Sequence, residues 1–571
     1  MRVLFIQFNA PRATVQQMSP GLLAVAGLVA KIPDAHIALK VLQWVDLTAD
    51  HLAECIRAAR ADIVALPVYS DGAERIEQVL RDLRHQNMSV PVVVGGPHIE
   101  AVGDSFLRGG QGIYRCTQGS SAGIQACFSG AASSAGNKSF HTAICRAAFE
   151  PGLRAIRYDI LETLLPGTWQ KLRPVIVTTL GCDRHCTFCA EGTRSVGVRY
   201  RAPECIRDEL SWIASNTDFP YVMIADDNAL VSRDHARIVT EILNEIVTRY
   251  PRLRFFLLAR PDDVVAKKDV VRALPAENVL RVQIGIESGC PSMRQRYGKV
   301  FSNETVREAV AILNDVGIGS VVGSFILGGP YEDDESLAKT ERLVGELVEL
   351  APGVFEPAFA FLRPYPGTRI LEMYPGGLKR IPGLRIGNTT EERPLLQTPA
   401  CSEVALINAH DALWTAIRNM MVPLFDRVSF SEWVQRSHYE SQFLFESAWL
   451  RFFKEAANCR AALDLARLRG WVDVAEMSFE EALTHRPRCT VKVPSRGSAN
   501  GARLPFGRAK VADLSASTIR LLSFCNGERT LSQINRDFLT DPESSGEERT
   551  KGVWATLKKL TEGLLVSWEK P

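Results

Sequence analysis

The sequence predicts an α/β protein with two parallel-sheet domains in tandem, followed by helical segments. Three observations predict it. Short runs dense in Val, Ile and Leu alternate with helical periodicity over the first 130 residues. A second series of such runs starts near residue 174, and the pattern turns helical from about residue 400. Strands that are apolar on both faces, separated by helices, indicate a sheet covered on both sides.

The chain has 571 residues, too many for one hydrophobic core, and predicts about three or four domains. Apolar residues make up 46% and charged residues 23%, with a formal net charge of +2. This is ordinary globular composition and excludes a general nucleic-acid binder. No apolar run is long enough to span a bilayer. The opening "MRVLFIQF" reads as a buried strand, without the charged region, apolar region and cleavage site of a signal peptide. The expectation is a cytoplasmic protein with neither membrane nor nucleic acid as partner. Thirteen cysteines in such a chain do not suggest a disulfide framework. Cys55, Cys127 and Cys459 lie in apolar helical surroundings, as small core residues do.

Residues 1–150 read as a doubly wound, Rossmann-like α/β domain. Its strands are expected at 2–8, 38–44, 62–70, 90–96 and 112–118, with helical segments such as "ADHLAECIRAARA" and "GAERIEQVLRDLRHQ" between them. Ligands in such folds bind at the carboxyl ends of the strands. Those ends carry Asn9, Tyr69, Ser70, Gly95, Gly96, Thr117 and Gly119, several of them small enough for a bulky ligand to approach the backbone. "SGAASSAGNKSFH" (128–140) reads as a surface loop or linker.

Residues 151–380 carry the second series: "PVIVTTLG" (174–181), "YVMIADDN" (221–228), "RFFLLAR" (254–260), "VLRVQIGIES" (279–288), "GSVVGSFILGG" (319–329) and "EPAFAFLRPYP" (356–366). Six strand–helix units predict a partial (β/α)6 barrel of the TIM type, with its chemistry where strands end and loops begin. A helical region is expected over 381–500. Residues 501–571 form a compact helix–turn–helix–loop–helix unit, "SASTIRLLSFCNGERTLSQINRDF" and "GVWATLKKLTEGLLVSW", with the parts of a winged-helix module. Its second helix, "LSQINRDFL", has few basic groups, which argues against DNA.

"TTLGCDRHCTFCAEG" (178–192) places Cys182, Cys186 and Cys189 in one loop after the first barrel strand. Three readings are open. One is chance clustering. The second is structural zinc, which needs four protein ligands; His185 or Cys205 would have to be the fourth, and neither lies at a common zinc-ribbon spacing. The third is a 4Fe–4S cluster held by three thiolates, which leaves one iron open to a small molecule.

The C-x3-C-x2-C spacing, with Phe188 just before the last cysteine, resembles the signature of the radical S-adenosylmethionine (SAM) superfamily. The resemblance implies that the open iron chelates the amino and carboxylate groups of SAM. One electron, supplied by a reductase of the flavodoxin or ferredoxin type, then splits SAM into methionine and a 5′-deoxyadenosyl radical. Such chemistry needs a very reducing cluster, within a range that reaches about −700 mV, and exclusion of water. Other motifs resemble the same family. In "IADDN" (224–228), Asp226 and Asp227 would accept hydrogen bonds from the SAM amino group, helix capping being the alternative. Glu287 in "GIESG" (285–289) would contact the ribose, or be a solvated loop acid. Gly328 in "FILGGPYE" (325–332) would pack against adenine, and "RPYPGT" (363–368) closes the sixth strand. Arg260 would reach the SAM carboxylate, or form an ordinary salt bridge.

"SPGLLAVAGLVAK" (19–31) and "VVVGGPHIEA" (93–102), followed by these barrel motifs, resemble the cobalamin-dependent branch of radical SAM enzymes, most of all its C-methyltransferases. The resemblance covers residues 1 to about 375. It implies that Asn9, Tyr69, Ser70, Gly95, Gly96, Thr117 and Gly119 line a cobalamin. The Asp-x-His-x-x-Gly element that supplies a cobalt-ligating histidine in mutases is missing. His98 is not assigned that role, and Pro67, Val68 or Tyr69 would lie under the corrin instead. "TQGSS" (117–121) departs from the Gly-Glu-Gly type of turn usual in the branch. The implied reaction passes a methyl group from SAM through methylcobalamin to a substrate carbon radical, which the deoxyadenosyl radical generates. The expected substrate is a natural-product precursor: a small molecule, an amino acid or a peptide. Relatives with this architecture also carry out oxidative cyclisation or rearrangement without methylation, or methylate without the radical. The final module, with "LLSFCNGERTLSQI" (521–534), resembles PqqD-type domains that bind leader peptides; an inert capping domain is the alternative. A cobalamin sensor or carrier with a degenerate barrel is the rival class, and the intact cysteine triplet speaks against it.

Overall fold

The computed structural model describes residues 1–9, 19–43, 46–107, 113–116, 121–133, 160–165, 173–191, 197–217, 221–384, 386, 393–427, 448–449, 452, 479–484, 486–489, 516–526, 528–538, 551–557 and 566–569. The chain divides into two compact units. One comprises residues 1–420 with 426–446, the other 421–425 with 447–571.

The first unit opens with five strands: β1 (Arg2–Asn9), β2 (His36–Gln43), β3 (Ile63–Pro67), β4 (Val92–Gly95) and β5 (Ile113–Cys116). They form one sheet in the order β2-β1-β3-β4-β5, every pair parallel. The order reverses between β1 and β3, the kind of switch point at whose carboxyl ends ligands of doubly wound sheets bind. The covering helices are α1 (Pro20–Val29), α2 (Ala49–Ala59), α3 (Ala73–His85), α4 (Pro97–Val102) and α5 (Ser121–Ser133). Local chemistry starts them. The Ser19 and Thr48 hydroxyls accept from Leu22 N and His51 N at the first turns of α1 and α2, satisfying otherwise orphaned donors. On α3, Ala73, Ile76, Val79, Leu80 and Leu83 recur at the helical period and join the core of Leu4, Ile6, Val64, Leu66, Val92 and Val94.

The short helix α6 (Leu161–Leu164) precedes a second sheet. Its strands are β6 (Val175–Ile176), β9 (Tyr221–Ile224), β10 (Arg254–Ala259), β11 (Val279–Glu287), β12 (Ser320–Leu327) and β13 (Phe355–Phe361). These six run parallel and lie side by side in chain order, with β6 and β13 at the two ends. Between β6 and β9, β7 (Thr179–Leu180) and β8 (Arg199–Tyr200) pair antiparallel beside the main sheet. Helices separate the strands: α7 (Pro203–Asn216), α8 (Arg233–Arg249), α9 (Pro261–Ala266), α10 (Lys268–Arg272), α11 (Pro291–Arg296), α12 (Asn303–Val316) and α13 (Asp334–Leu350). At the amino-terminal ends of the strands, Arg281 donates to Ser320 Oγ (3.1 Å) and Glu356 Oε1 (2.9 Å). That buried ion pair closes this end with charge, leaving the carboxyl ends for the loops discussed below.

After β13 come α14 (Ile370–Met373), the antiparallel pair β14 (Lys379–Arg380) and β15 (Leu396–Gln397), and α15 (Glu403–Met421). The second unit contains α16 (Phe479–Ala482), α17 (Ala516–Phe524), α18 (Leu531–Phe538), a helical run over 551–557 and the antiparallel pair β16 (Arg486–Cys489) and β17 (Val566–Glu569). Among the described residues no helix is long and apolar enough to cross a membrane.

Two expectations from the sequence are revised. The linker expected over 128–140 begins as helix, because α5 continues to Ser133. Ile124, Cys127, Phe128 and Ala131 are buried at helical spacing, so the Ser, Ala and Gly content belongs partly to a helix packed against the sheet; residues 134–140 lie outside the described residues. The ladder of β16 with β17 joins 486–489 to 566–569, so a strand from before residue 500 belongs with the C-terminal module.

Gly289, just past β11, marks a close approach that a side chain would block. A Cβ there would lie 2.6 Å from Thr340 Cα and 2.8 Å from the Lys339 carbonyl carbon, both backbone atoms of α13. The substitution Gly289→Ala is expected to destabilise the first unit by about 2–3 kcal/mol, as overpacking against unyielding backbone does. A lowered midpoint in urea-induced unfolding checks this; an unchanged midpoint contradicts it.

Candidate active site

The cysteine loop leaves the sheet at a point fixed by Asp226. This residue follows β9, and Ala225 N donates to Ile176 O (2.8 Å) across the β6–β9 ladder. The Asp226 carboxylate therefore reaches the chain just beyond β6. Its Oδ1 accepts from Thr178 N (2.6 Å) and Thr179 N (3.0 Å), and its Oδ2 from Thr178 Oγ1. Burial pushes the Asp226 carboxyl above the usual range, and the Thr178 and Thr179 donors oppose that. His235 Nε2 lies 3.2 Å from Thr178 Oγ1 and extends the network.

Cys182 and Cys189 are half-buried and Cys186 is buried; none of them is in a disulfide. Burial, helped by the nearby charges of Asp227 and Asp183, pushes the Cys182 thiol up to about 11. The loop rests on the turn after α11. Thr187 N donates to Tyr297 O (3.1 Å) and Thr187 Oγ1 to Arg296 O (2.9 Å). Gly298, at φ +74°, lets this turn approach, since a Cβ there would stand 3.2 Å from His185 O. On the other flank Arg184 donates to both oxygens of Asp263 (3.0 and 3.2 Å). Asp263 also accepts from Asn228 Nδ2 (2.7 Å) and from Lys267. One buried carboxylate thus ties the loop to the ends of β9 and β10.

The expected SAM-contacting residues lie around this loop, and Asp226, Arg260 and Glu287 each make hydrogen bonds to protein partners there. Both oxygens of Asp226 serve the backbone and hydroxyl just described, so it anchors the loop rather than presenting its carboxylate to a ligand. Arg260, buried, makes a two-pronged pair with Asp262 (3.0 and 3.1 Å) and turns Nη1 to Cys186 Sγ (3.6 Å). Glu287 Oε1 accepts from Lys299 Nζ (2.6 Å), which also donates to Gly285 O (2.9 Å). Asp227 is exposed and near enough to Cys182 to raise its thiol. Phe188 meets Tyr297 edge-on at 5.4 Å, with the Lys299 ammonium 5.9 Å from its ring centre. Gly328 N, at the end of β12, donates to Glu332 Oε2, as does Gly329 N (3.4 Å).

The sequence reading missed Arg184, Asn228, Asp262, Asp263, Thr187, Tyr297 and Lys299. "RQRYGK" (294–299) offered no motif, since its role arises from docking against a loop more than 100 residues earlier.

On the first sheet, Tyr69, Ser70, Gly95 and Gly96 come together at the carboxyl edge. Val68 N donates to Gly95 O (2.7 Å) and His98 N to Val68 O (3.2 Å). Ser70 Oγ pairs with His98 Nδ1 (3.0 Å), and burial lowers the pKa of that ring. Tyr69 is 42% exposed, its hydroxyl 3.0 Å from Ser19 Oγ. Asn9 ends the neighbouring strand β1; Thr117 and Gly119 lie outside the described residues. The loop after β13 reaches this edge: a Cβ on Gly367 would lie 3.3 Å from Ala101 Cβ of α4. The two segments follow β13 and β4 and meet at this contact.

The donor set suits an iron–sulfur cluster. Three thiols are soft ligands, and binding iron would displace the proton that Cys182 otherwise keeps. Among the described residues, no three His, Cys, Asp or Glu groups converge as the ligands of one metal ion do; thiolates of a cube bind separate irons and need not. At the first sheet, an exposed tyrosine ring and two glycines stand at the carboxyl edge, where small residues allow a bulky ligand to approach the backbone.

Residues 176–344 match the profile of the radical SAM superfamily, so the chain contains a radical SAM domain. An uncharacterised methyltransferase of Pyrococcus horikoshii is 24% identical over 388 residues, covering 62% of this chain and 77% of that protein. The radical SAM methyltransferase TsrM from Kitasatospora setae, solved with cobalamin and a 4Fe–4S cluster bound, superposes with a TM-score of 0.52 at 18% identity, covering 71% of this chain and 84% of TsrM. The cobalamin-dependent SAM radical enzyme OxsB, with aqua-cobalamin and SAM bound, gives 0.57 at 14% identity, covering 82% of this chain and 74% of OxsB. At these identities the two solved structures show a likeness of fold.

Glu332 gives this site a pH signature. It is wholly buried, Oε1 has no hydrogen-bond partner among the described residues, and burial pushes its carboxyl from 4.5 up to about 7 despite the Gly328 and Gly329 donors. Because the folded-state value is raised, folding favours the protonated form, and stability falls as pH rises from about 4.5 to 7. The loss amounts to about 3 kcal/mol over that window. Glu332→Gln cannot ionise, so the stability difference between wild type and variant should move in the variant's favour by about that amount between pH 4.5 and 8. Urea unfolding at both pH values checks this; parallel pH profiles contradict it.

Proposed function

We propose that this protein is a cobalamin-dependent radical SAM methyltransferase, which transfers a methyl group from SAM to a carbon of a small-molecule, amino-acid or peptide substrate. The observation that carries the reading is the firmly seated loop of three thiols at the carboxyl edge of one parallel sheet. The same compact unit contains a doubly wound sheet with its switch point between β1 and β3. When bound, the 4Fe–4S cluster supplies one-electron cleavage of SAM and the cobalamin supplies methyl transfer.

The chain's own residues provide position and shelter. Cys182, Cys186 and Cys189 would hold three irons, with the loop kept in place by Asp226, Asp263 and the Thr187 contacts. Asp227, exposed beside Cys182, is the carboxylate best placed to accept from the SAM amino group. Tyr69, Ser70, Gly95 and Gly96, with Asn9 on the adjoining strand, would seat the corrin and its tail. The reading would have substrate and both cofactors share one cavity, where fixed geometry replaces diffusive encounter and water is kept from reactive carbon. Electrons would come from a flavodoxin- or ferredoxin-type reductase, and the C-terminal module would bind a leader peptide where the substrate is a peptide.

Each of Cys182→Ala, Cys186→Ala and Cys189→Ala is expected to lose the reducible cluster and all turnover. Anaerobic reconstitution followed by iron and sulfide analysis checks the first, and methyl-labelled SAM with mass spectrometry of the products checks the second. An iron-replete, active cysteine variant contradicts the proposal. Product without the label, alongside 5′-deoxyadenosine, replaces methylation with cyclisation or rearrangement.

A further inference from the structure

Arg260 ends β10 at the first turn of α9, and its guanidinium lies inside the protein, 6% exposed. Three features fix it. Nε and Nη2 are held by the two oxygens of Asp262 at 3.0 and 3.1 Å, a fork-to-fork arrangement that sets the plane of the group. Its central carbon stands 5.8 Å from the Phe301 ring centre. The remaining nitrogen, Nη1, is thereby aimed at Cys186 Sγ, 3.6 Å away. Cys186 is the most buried of the three loop cysteines, so little water competes for its sulfur.

We propose that Arg260 is a positioning residue for electron transfer: its Nη1–H donates to the Cys186 thiolate of the cluster and raises the cluster's reduction potential. The inference rests on the cluster reading above. Reduction adds one electron from an external donor to a cluster already carrying anionic thiolates, with no bond made or broken. A hydrogen bond to a cluster sulfur spreads that added charge and favours the reduced state. Asp262 largely neutralises the arginine at longer range, which leaves the directed N–H···S contact as the main effect. A simple ion pair, which the sequence equally allowed for Arg260, would serve folding and cluster loading but leave the potential where it was.

The test is EPR-monitored potentiometry of reconstituted wild type, Arg260→Met and Arg260→Lys, each assayed for iron and sulfide. At full loading, Arg260→Met should shift the reduction equilibrium at least tenfold toward the oxidised cluster, or about 59 mV more negative for one electron. Arg260→Lys, which keeps a donor but not the fork, should fall between. A fully loaded Arg260→Met with an unchanged or more positive potential overturns the inference. Should the methionine variant fail to load, unmutated protein carrying 15N-arginine decides. In the absence of SAM, pulsed EPR of the reduced cluster should show a 15N coupling and an exchangeable proton, and their absence overturns the inference. Failure of the wild type itself to form a cluster overturns the proposed function instead, so the two failures are distinct.

Discussion

Two buried carboxylates, Asp226 and Asp263, hold the cysteine loop, and the rest of the site depends on them. Asp226 fixes where the chain leaves β6 by accepting from Thr178 and Thr179. Asp263 holds the loop's middle through Arg184, while sharing itself with Asn228 and Lys267. A carboxylate removed from water is stabilised by donors around it, and here Thr178, Thr179 and Arg184, from the segment to be positioned, are among those donors. The cost of burying the charge and the order of the thiols are therefore coupled.

That arrangement also separates two tasks. Residues read from motifs as ligand contacts turn out to divide between anchoring and presentation. Asp226 and Arg260 commit their polar atoms, and Glu287 its Oε1, to protein partners that tie the loop and the strand ends together. Asp227 is exposed, Cys182 and Cys189 are half-buried, and Cys186 is buried. A site that must exclude water needs both, because a loop ordered only by its ligand would open whenever the ligand leaves.

The sheets were legible in the sequence because buried parallel strands carry continuous apolar runs with no polar face to confuse the pattern. Both series of strands lie where those runs predict, within a residue or two for most. The cysteine loop was legible from its spacing together with its context, after the first strand of the second series and with Phe188 before the last cysteine. Tyr297, Gly298 and Lys299 were not, because nothing local marks them; they matter only once α11 brings its following turn under Thr187. The same applies to Asp263, which reads as an acid in the first turn of a helix, where a cap or a surface pair is the ordinary use. The segment 128–133 failed for the opposite reason. Its small residues look like a linker, yet Phe128 and Ala131 are buried with Ile124 and Cys127, and tertiary packing outweighs weak local propensity.

The central claim is that one iron of the cluster carries no thiolate and receives SAM. The most direct measurement is the EPR spectrum of the reduced, reconstituted protein with and without SAM, the cofactor carrying 15N in its amino group. The account predicts an altered spectrum on adding SAM and a 15N coupling from the bound amino nitrogen. A spectrum indifferent to SAM, or purified protein holding zinc and no cuboidal cluster, would contradict it.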